Sequence, residues 1–490
     1  MDFVSVILFL VMYYLRPQEW GALFAKIHFV QLVTMLAVAC LILRERGFRA
    51  KDLLKTPHDW MMLAFFTWTT LASGAPWATF WEVLPFATFY IVIVHTLTDV
   101  HRIKLFAGWW TFLIVAVAAL ALASEYGFDP LGSYDISHGR MKDRLILNLS
   151  IFKNPNALGH NVVPAFAMLY FFCIWKRPLF MKEIGLALSF IPAYCIWLTV
   201  SKGSFLCAGI TILASQVFGR PKYVQVILLC GALLFGGTIL WSLPRMTELN
   251  TTRTDEAIMG RVAAFTHGLR MIETQKFGIG YGNWMTSFRE AHGYRKAAHS
   301  SYVQIGSELG KVGFFLFLGI LYCCLRTLMM AHTSTDDEER IRRMMFVLVI
   351  SYMASSWMVD FGYRPTFFMF AGAIAAFHRQ LYGVNRAMEE EAAAEKAMAA
   401  VPAWRARLLP QPSMVAALPN QLAPAAVYTL ERAAGPSGSP MQLPKAPDEP
   451  LEEGSPAVKP WMRIGFLDLA LIGVLFIVTM RFWGYAVHHL

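Results

Sequence analysis

Residues 298–330 read AHSSYVQIGSELGKVGFFLFLGILYCCLRTLMM. A polar stretch bearing a histidine, a glutamate and two glycines passes at Lys311 into an apolar run, 312–330, long enough to cross a bilayer as a helix. Similar apolar runs stand at 3–15, 21–43, 60–73, 78–97, 104–123, 157–175, 184–200, 204–218, 223–241, 344–358, 362–378 and 464–482. Backbone amides in hydrocarbon must find partners within their own segment, and no alternating pattern points to a barrel, so these runs are expected to be helices. Composition agrees. The 490 residues are 56% hydrophobic and only 16% charged, with a mean hydropathy of +0.46, which excludes an ordinary soluble domain. The expected fold is all-α, a polytopic membrane protein with about 12 core transmembrane helices, one extra C-terminal span and one large outward loop containing short helices.

Lysines and arginines set the expected topology. Arg44, Arg46, Arg49, Lys51 and Lys55 follow the second run, Arg102 and Lys104 the fourth, Lys176, Arg177 and Lys182 the sixth, Arg220 and Lys222 the eighth, and Arg340, Arg342 and Arg343 lie before the eleventh. These loops alternate correctly for a cytoplasmic side. The N-terminus is then inside, and the loops at 124–156, 201–203, 242–311 and 359–363 face outward, into the periplasm if the source is Gram-negative. The first run lacks a basic n-region and a small-residue cleavage site and ends at Arg16-Pro17, so it reads as a span and not a cleavable signal. All seven cysteines fall inside apolar runs, which argues against a disulfide framework, and no spacing suggests a metal site.

The chain thus divides into 1–241 with transmembrane helices 1–9, 242–311 as the outward loop, 312–380 with helices 10–12, 381–462 as a cytoplasmic low-complexity tail and 463–490 as a last span. The tail opens on the Ala/Glu-rich Arg386–Lys396 and continues in Pro, Ala, Gly and Ser. It reads as a short helix followed by a flexible linker, either a plain tether or a docking site for partner proteins.

The formal net charge of +10 is spread over loops on both sides and matches no nucleic-acid module. Inside, the positive-inside bias and anionic headgroups account for it. Outside, Arg140, Lys142, Arg144, Lys153, Lys202, Arg245, Arg253, Arg261, Arg270, Lys276, Arg289, Arg295 and Lys296 oppose that bias and imply an anionic ligand, phosphate or pyrophosphate above all. Lys202 stands in the tight turn Val200-Ser-Lys-Gly-Ser-Phe205 at a helix N-terminus whose free amides favour an anion; the alternative is a snorkelling interfacial lysine. Arg261 opens a helical pattern with Phe265, Leu269 and Ile272 as its buried stripe and shares the face of Phe265. Its fork suits phosphate oxygens, or else pairs with Asp255 or Glu308. His299 precedes a second helical pattern with Val303, Gly306 and Gly310 on its face. It reads as a proton acceptor for a hydroxyl, or as a hydrogen-bonded interfacial histidine. Phe277-Gly-Ile-Gly-Tyr-Gly282 lacks the strand-turn-helix frame of a dinucleotide site, so Gly280 and Gly282 read as allowing a tight fold or close ligand approach. His267, His292 and His299 are too widely spaced for a zinc site.

The order of these features resembles the O-antigen ligase and O-antigen polymerase superfamily: the Ser-Lys-Gly turn, Gly260-Arg261 opening a helix, the glycine run, then Ala298-His299 with Glu308-Leu-Gly310 and Gly313. Asn154-Pro-Asn-Ala-Leu-Gly159 is similar as well. The resemblance covers roughly residues 1–380 and leaves 381–490 outside. This chain has Lys202 where that family often has Arg, Phe265 where it often has Trp, and Ser300 where Asn often follows the histidine.

The resemblance implies transfer of a glycan from an undecaprenyl-pyrophosphate donor to an acceptor hydroxyl at the outer face of the inner membrane, inverting and with no cofactor or metal. In that reading His299 deprotonates or orients the acceptor, and Lys202 and Arg261 hold the pyrophosphate. Arg270 and Arg140 are further phosphate contacts, and Glu308 either contacts phosphate or orients the histidine. Partners are the lipid-linked donor, a glycan or lipid acceptor, membrane lipids and polysaccharide assembly proteins, with no nucleic acid. A ligase and a polymerase joining repeat units share this donor chemistry, and both readings stay open. A lipid-linked glycan transporter is a third reading, although charges deep in spans and paired halves, its usual marks, are not found.

Overall fold

The computed structural model describes residues 2–21, 26, 28–43, 52–140, 143–242, 256–384 and 461–489. Among the described residues every apolar run contains a helix, and there is no strand. In chain order the helices are α1 (Asp2–Leu15), α2 (Phe29–Ile42), α3 (Pro57–Leu71), α4 (Pro76–Thr96), α5 (Val100–Glu125), α6 (Ser133–Arg140), α7 (Pro155–Val162), α8 (Pro164–Leu169), α9 (Leu179–Thr199), α10 (Lys202–Val217), α11 (Lys222–Ser242), α12 (Glu256–Thr274), α13 (Trp284–His292), α14 (Ser301–Met330), α15 (Asp336–Ser355), α16 (Pro365–Leu381) and α17 (Phe466–His489). The expected tail falls almost wholly at 385–460, outside the described residues.

Local chemistry explains where these helices begin. Thr56 and Asp59 form a reciprocal capping box on α3, and Thr335 and Glu338 form another on α15. Asp99, Asn154, Ser201 and Ser300 cap α5, α7, α10 and α14 through their side chains. Each satisfies amides that the first turn leaves without intrahelical partners.

Among the described residues six stretches are long and apolar enough to cross a membrane: α4, α5, Pro155–Ile174 (α7 and α8 with the single helical turn that follows), α9, α14 and α17. The count of about 12 core spans is therefore not reproduced by length. At 14 residues, α1 and α2 are each roughly 21 Å long, against a hydrocarbon core of about 30 Å. α10 and the Lys222–Ala232 stretch of α11 are apolar but also short. The protein is helical and multi-pass, and its described residues hold fewer full-length crossings than the sequence has hydropathy runs.

α14 is the central helix, packing on α3, α12, α15, α16 and α17. It starts at Ser301, well before its apolar run, and breaks at Gly310, where φ is 64° and ψ is −167°. The break frees carbonyls, and the Phe277–Gly282 segment takes them up: Ile279 N–H donates to Ser307 C=O (3.0 Å) and Gly280 N–H to Glu308 C=O (2.9 Å). Trp68 of α3 donates its indole N–H to Leu309 C=O at 2.8 Å. A Cβ on Gly278 would stand 2.3 Å from Glu308 O, and one on Gly310 would stand 2.7 Å from Gly278 N, so only glycine permits this backbone contact. The glycine run is thus a brace on a broken helix.

Candidate functional site

The turn between α15 and α16, residues 356–364, is the hub on which the site elements meet. It is fastened to the start of α14: Ser301 N–H donates to Ser356 C=O (2.7 Å), Ser301 Oγ donates to Val359 C=O (2.8 Å), and Phe361 N–H donates to Ser301 Oγ (2.8 Å). Ser300 Oγ adds a 3.1 Å bond to Ser356 C=O. With its backbone groups engaged on both sides, the hub is a fixed mount and not a free loop.

His299 sits at this junction, half-buried, in the left-handed region at φ 51°. That conformation is costly for a non-glycine residue, and Asp360 holds it by accepting N–H bonds from His299 and Ser300, the latter at 2.8 Å. Burial pushes the His299 imidazole down to about 4, with the positive charges of Arg261 and Lys296 adding to the effect. The ring is therefore neutral at physiological pH and able to accept a proton. Burial pushes the Asp360 carboxyl up to about 6, against the two amides and the guanidinium groups of Arg364 and Arg261.

Arg261 projects from the second turn of α12 toward the hub, with Nη1 3.8 Å from Met358 Sδ. Lys202 occupies the first position of α10. A Cβ on the adjacent Gly203 would lie 3.3 Å from Met358 and 3.0 Å from His160 Nε2. The Lys202 turn and Arg261 thus approach Met358 from two helices. His160 is 2% exposed; its Nδ1 lies 3.1 Å from Ser355 Oγ, and its Nε2 has no hydrogen-bond partner among the described residues. Lys296 lies with its ammonium over Gly260, beside Arg261. The structure therefore brings His299, Arg261 and the Lys202 turn to one hub.

Other expected residues stand elsewhere. Arg270 is exposed. It lies nine positions from Arg261, which at 3.6 residues per turn is two and a half turns, so the two point to opposite sides of α12. Glu308 is fully buried, accepts Trp284 N–H at 3.1 Å and lies against Tyr363 and Gln304, so it supports the glycine brace. Asp360, not Glu308, holds the histidine. Gly280 (φ 90°) and Gly282 (φ 75°) belong to that brace. Arg140 ends α6, and its side chain lies outside the described residues, as does Asp255. His267 packs among Trp284, Phe288 and His292, joining α12 to α13.

Sequence reading missed Asp360, His160 and Lys296 as site residues. Lys296 was visible only as one of many outward cations. Asp360 is the lone acid in a turn already expected to face outward, and that was its one signal. An apolar groove of about 470 Å³ between α3 and α4, lined by Met62, Phe66, Val83, Ala87 and Ile91, reaches Leu71 and Phe80. Beyond Leu71 the Ser73–Gly74 backbone meets Gly280.

Residues 187–318 match the family model described as O-antigen ligase. The match supports a relation to the O-antigen ligase superfamily, whose members are membrane glycosyltransferase-like enzymes, ligases and polymerases. No curated protein matches the chain. The matched segment includes Lys202, Arg261, His299 and the break at Gly310, whereas His160, Asp360 and α17 lie outside it.

Proposed function

We propose that the protein transfers a glycan from undecaprenyl pyrophosphate to an acceptor hydroxyl at the periplasmic face of the inner membrane, inverting the anomeric centre by a metal-independent route. The observation that carries this reading is the convergence of two cationic elements and a neutral, braced histidine on one hub. Arg261 and Lys202 would bind the pyrophosphate oxygens, with Arg261 able to engage two of them through its planar fork. The acceptor oxygen attacks the anomeric carbon, the bond to the pyrophosphate oxygen breaks, and the electron pair leaves on pyrophosphate. The hydroxyl proton passes to His299. Arg261 and Lys202 stabilise the charge that develops on the leaving group, in a setting partly shielded from water.

The charges around His299 give the reaction an order. Arg261 and Lys296 lower its basicity, and a bound pyrophosphate would neutralise much of that field. Donor binding therefore raises the affinity of His299 for a proton before the acceptor is activated. The α3–α4 groove offers the polyprenyl chain an apolar seat entered from the bilayer. Ligases and polymerases differ here only in acceptor.

The test is purified protein with a lipid-pyrophosphate glycan and both lipid A core and repeat-unit acceptors. His299→Ala and Arg261→Ala are expected to lose on the order of 10²- to 10⁴-fold in transfer. Wild-type transfer by either variant would overturn the assignment.

A further inference from the structure

The C-terminal helix α17 lies beyond the segment matched by the family model and beyond 385–460, yet it packs against α12 and α14. Two anchors hold it. Near its start, Asp468 is 3% exposed, pairs with Arg326 of α14, and accepts hydrogen bonds from Tyr322 Oη (2.7 Å), Trp461 Nε1 (3.1 Å) and Gly465 N (2.8 Å). Near its end, Trp483 is fully buried and donates its indole N–H to Phe265 C=O at 3.0 Å.

The seat of Trp483 is cut from glycine. A Cβ on Gly268 of α12 would stand 2.9 Å from the indole, and one on Gly306 of α14 would stand 3.0 Å from it. The same Gly268 position would be 2.5 Å from Val303, so α12 and α14 approach as closely as small residues allow. Phe265, whose carbonyl receives the indole, is one turn after Arg261. Beside Trp483, Phe482 packs on Trp357 of the hub at 5.0 Å, and Trp357 packs on Tyr302 at 4.5 Å. The outer end of α17 therefore touches all three elements that carry Arg261, His299 and Asp360.

We infer that α17 is a positioning element, with Trp483 locking α12 against α14 so that Arg261 is held toward His299 and the hub. A helix joined to the rest of the chain only through 385–460 would add nothing to a self-sufficient site. A tryptophan wedged into a two-glycine notch and hydrogen-bonded one turn from Arg261 makes the register of α12 depend on α17. Trp483 touches no reacting atom in this account, and its effect passes through Arg261. The inference rests on the proposed transfer reaction, and its test separates the two.

Nitroxide labels at Thr266 on α12 and Val312 on α14, both exposed, in a Cys230→Ser background, report the spacing of the two helices without any substrate. Trp483→Ala is expected to broaden that distance distribution and to lower transfer kcat/KM by about 10- to 100-fold. It is also expected to move the acid limb of the pH profile upward, because Arg261 withdraws from His299. Trp483→Phe keeps the ring without the N–H and should fall between the two. Asp468→Asn, loosening the far anchor, should lower thermal stability without moving the acid limb. Unchanged kcat/KM in folded Trp483→Ala protein overturns the inference. A broadened distribution in a protein whose wild type transfers no lipid-pyrophosphate glycan supports the locking of α12 by α17 and rejects the reaction instead.

Discussion

At one end of the bundle Arg379 and Asp59 lie 3.1 Å apart, 1% and 6% exposed, and Tyr90, Thr56 and the Asp52 carbonyl add hydrogen bonds to the pair. At the other end Arg261 and Lys296 act on His299, the Lys202 turn meets the hub at Met358, and the one acid of the hub, Asp360, is bound to backbone amides. The first cluster sets one cation against one carboxylate; the second sets several cations and one carboxylate, Asp360, around a neutral base. Buried charge that is matched is structural, because its desolvation is offset within the protein. An excess of positive charge beside a neutral histidine can attract an anion from outside.

That contrast can be broken from either side. Removing Asp59 leaves Arg379 buried without its carboxylate, which should cost about 3–5 kcal/mol of stability. Thermal denaturation in detergent measures this, and transfer per folded molecule should stay at the wild-type level. A loss of turnover without a loss of stability would make the inner cluster functional and erase the distinction.

A smaller effect is expected at Asp360, through pH. As pH falls through about 6 its carboxylate protonates and its hold on the His299 and Ser300 amides weakens; near 4 His299 itself takes up a proton and stops acting as a base. In kcat/KM, which reports the enzyme before the donor neutralises the field at His299, activity should therefore fall in two steps on the acid side. Asp360→Asn should lower kcat by roughly tenfold, abolish the step near 6 and keep the one near 4. Persistence of the upper step in that variant would assign it to another group.

Much of this was legible in the sequence because the signals are local. Each apolar run contains a helix among the described residues, and the Ser201 cap follows from residue type at a boundary. Arg261 was readable from its place on the Phe265 face, and the opposite placement of Arg270 follows from the same periodicity, although charge alone suggested both. The number of full crossings was not legible, since a hydropathy run does not reveal where its helix starts: α15 begins in the charged turn Asp336–Glu339, and α2 only at Phe29. The role of Asp360 depends on a turn meeting the α14 cap from 60 residues away, and the glycine brace on a helix break it fills. Both are long-range backbone pairings, which no spacing rule encodes.

The central claim is that the cationic cluster recognises a lipid pyrophosphate. Binding of undecaprenyl pyrophosphate and of undecaprenyl monophosphate to the purified protein in lipid nanodiscs tests it without any acceptor. Wild type should prefer the pyrophosphate, and Arg261→Ala should weaken that binding on the order of 10- to 100-fold, the value of a charge-assisted contact. Arg270→Ala, altering the opposite face of α12, should leave it unchanged. Equal affinity for the two lipids in wild type, or undiminished binding by Arg261→Ala, would contradict the account.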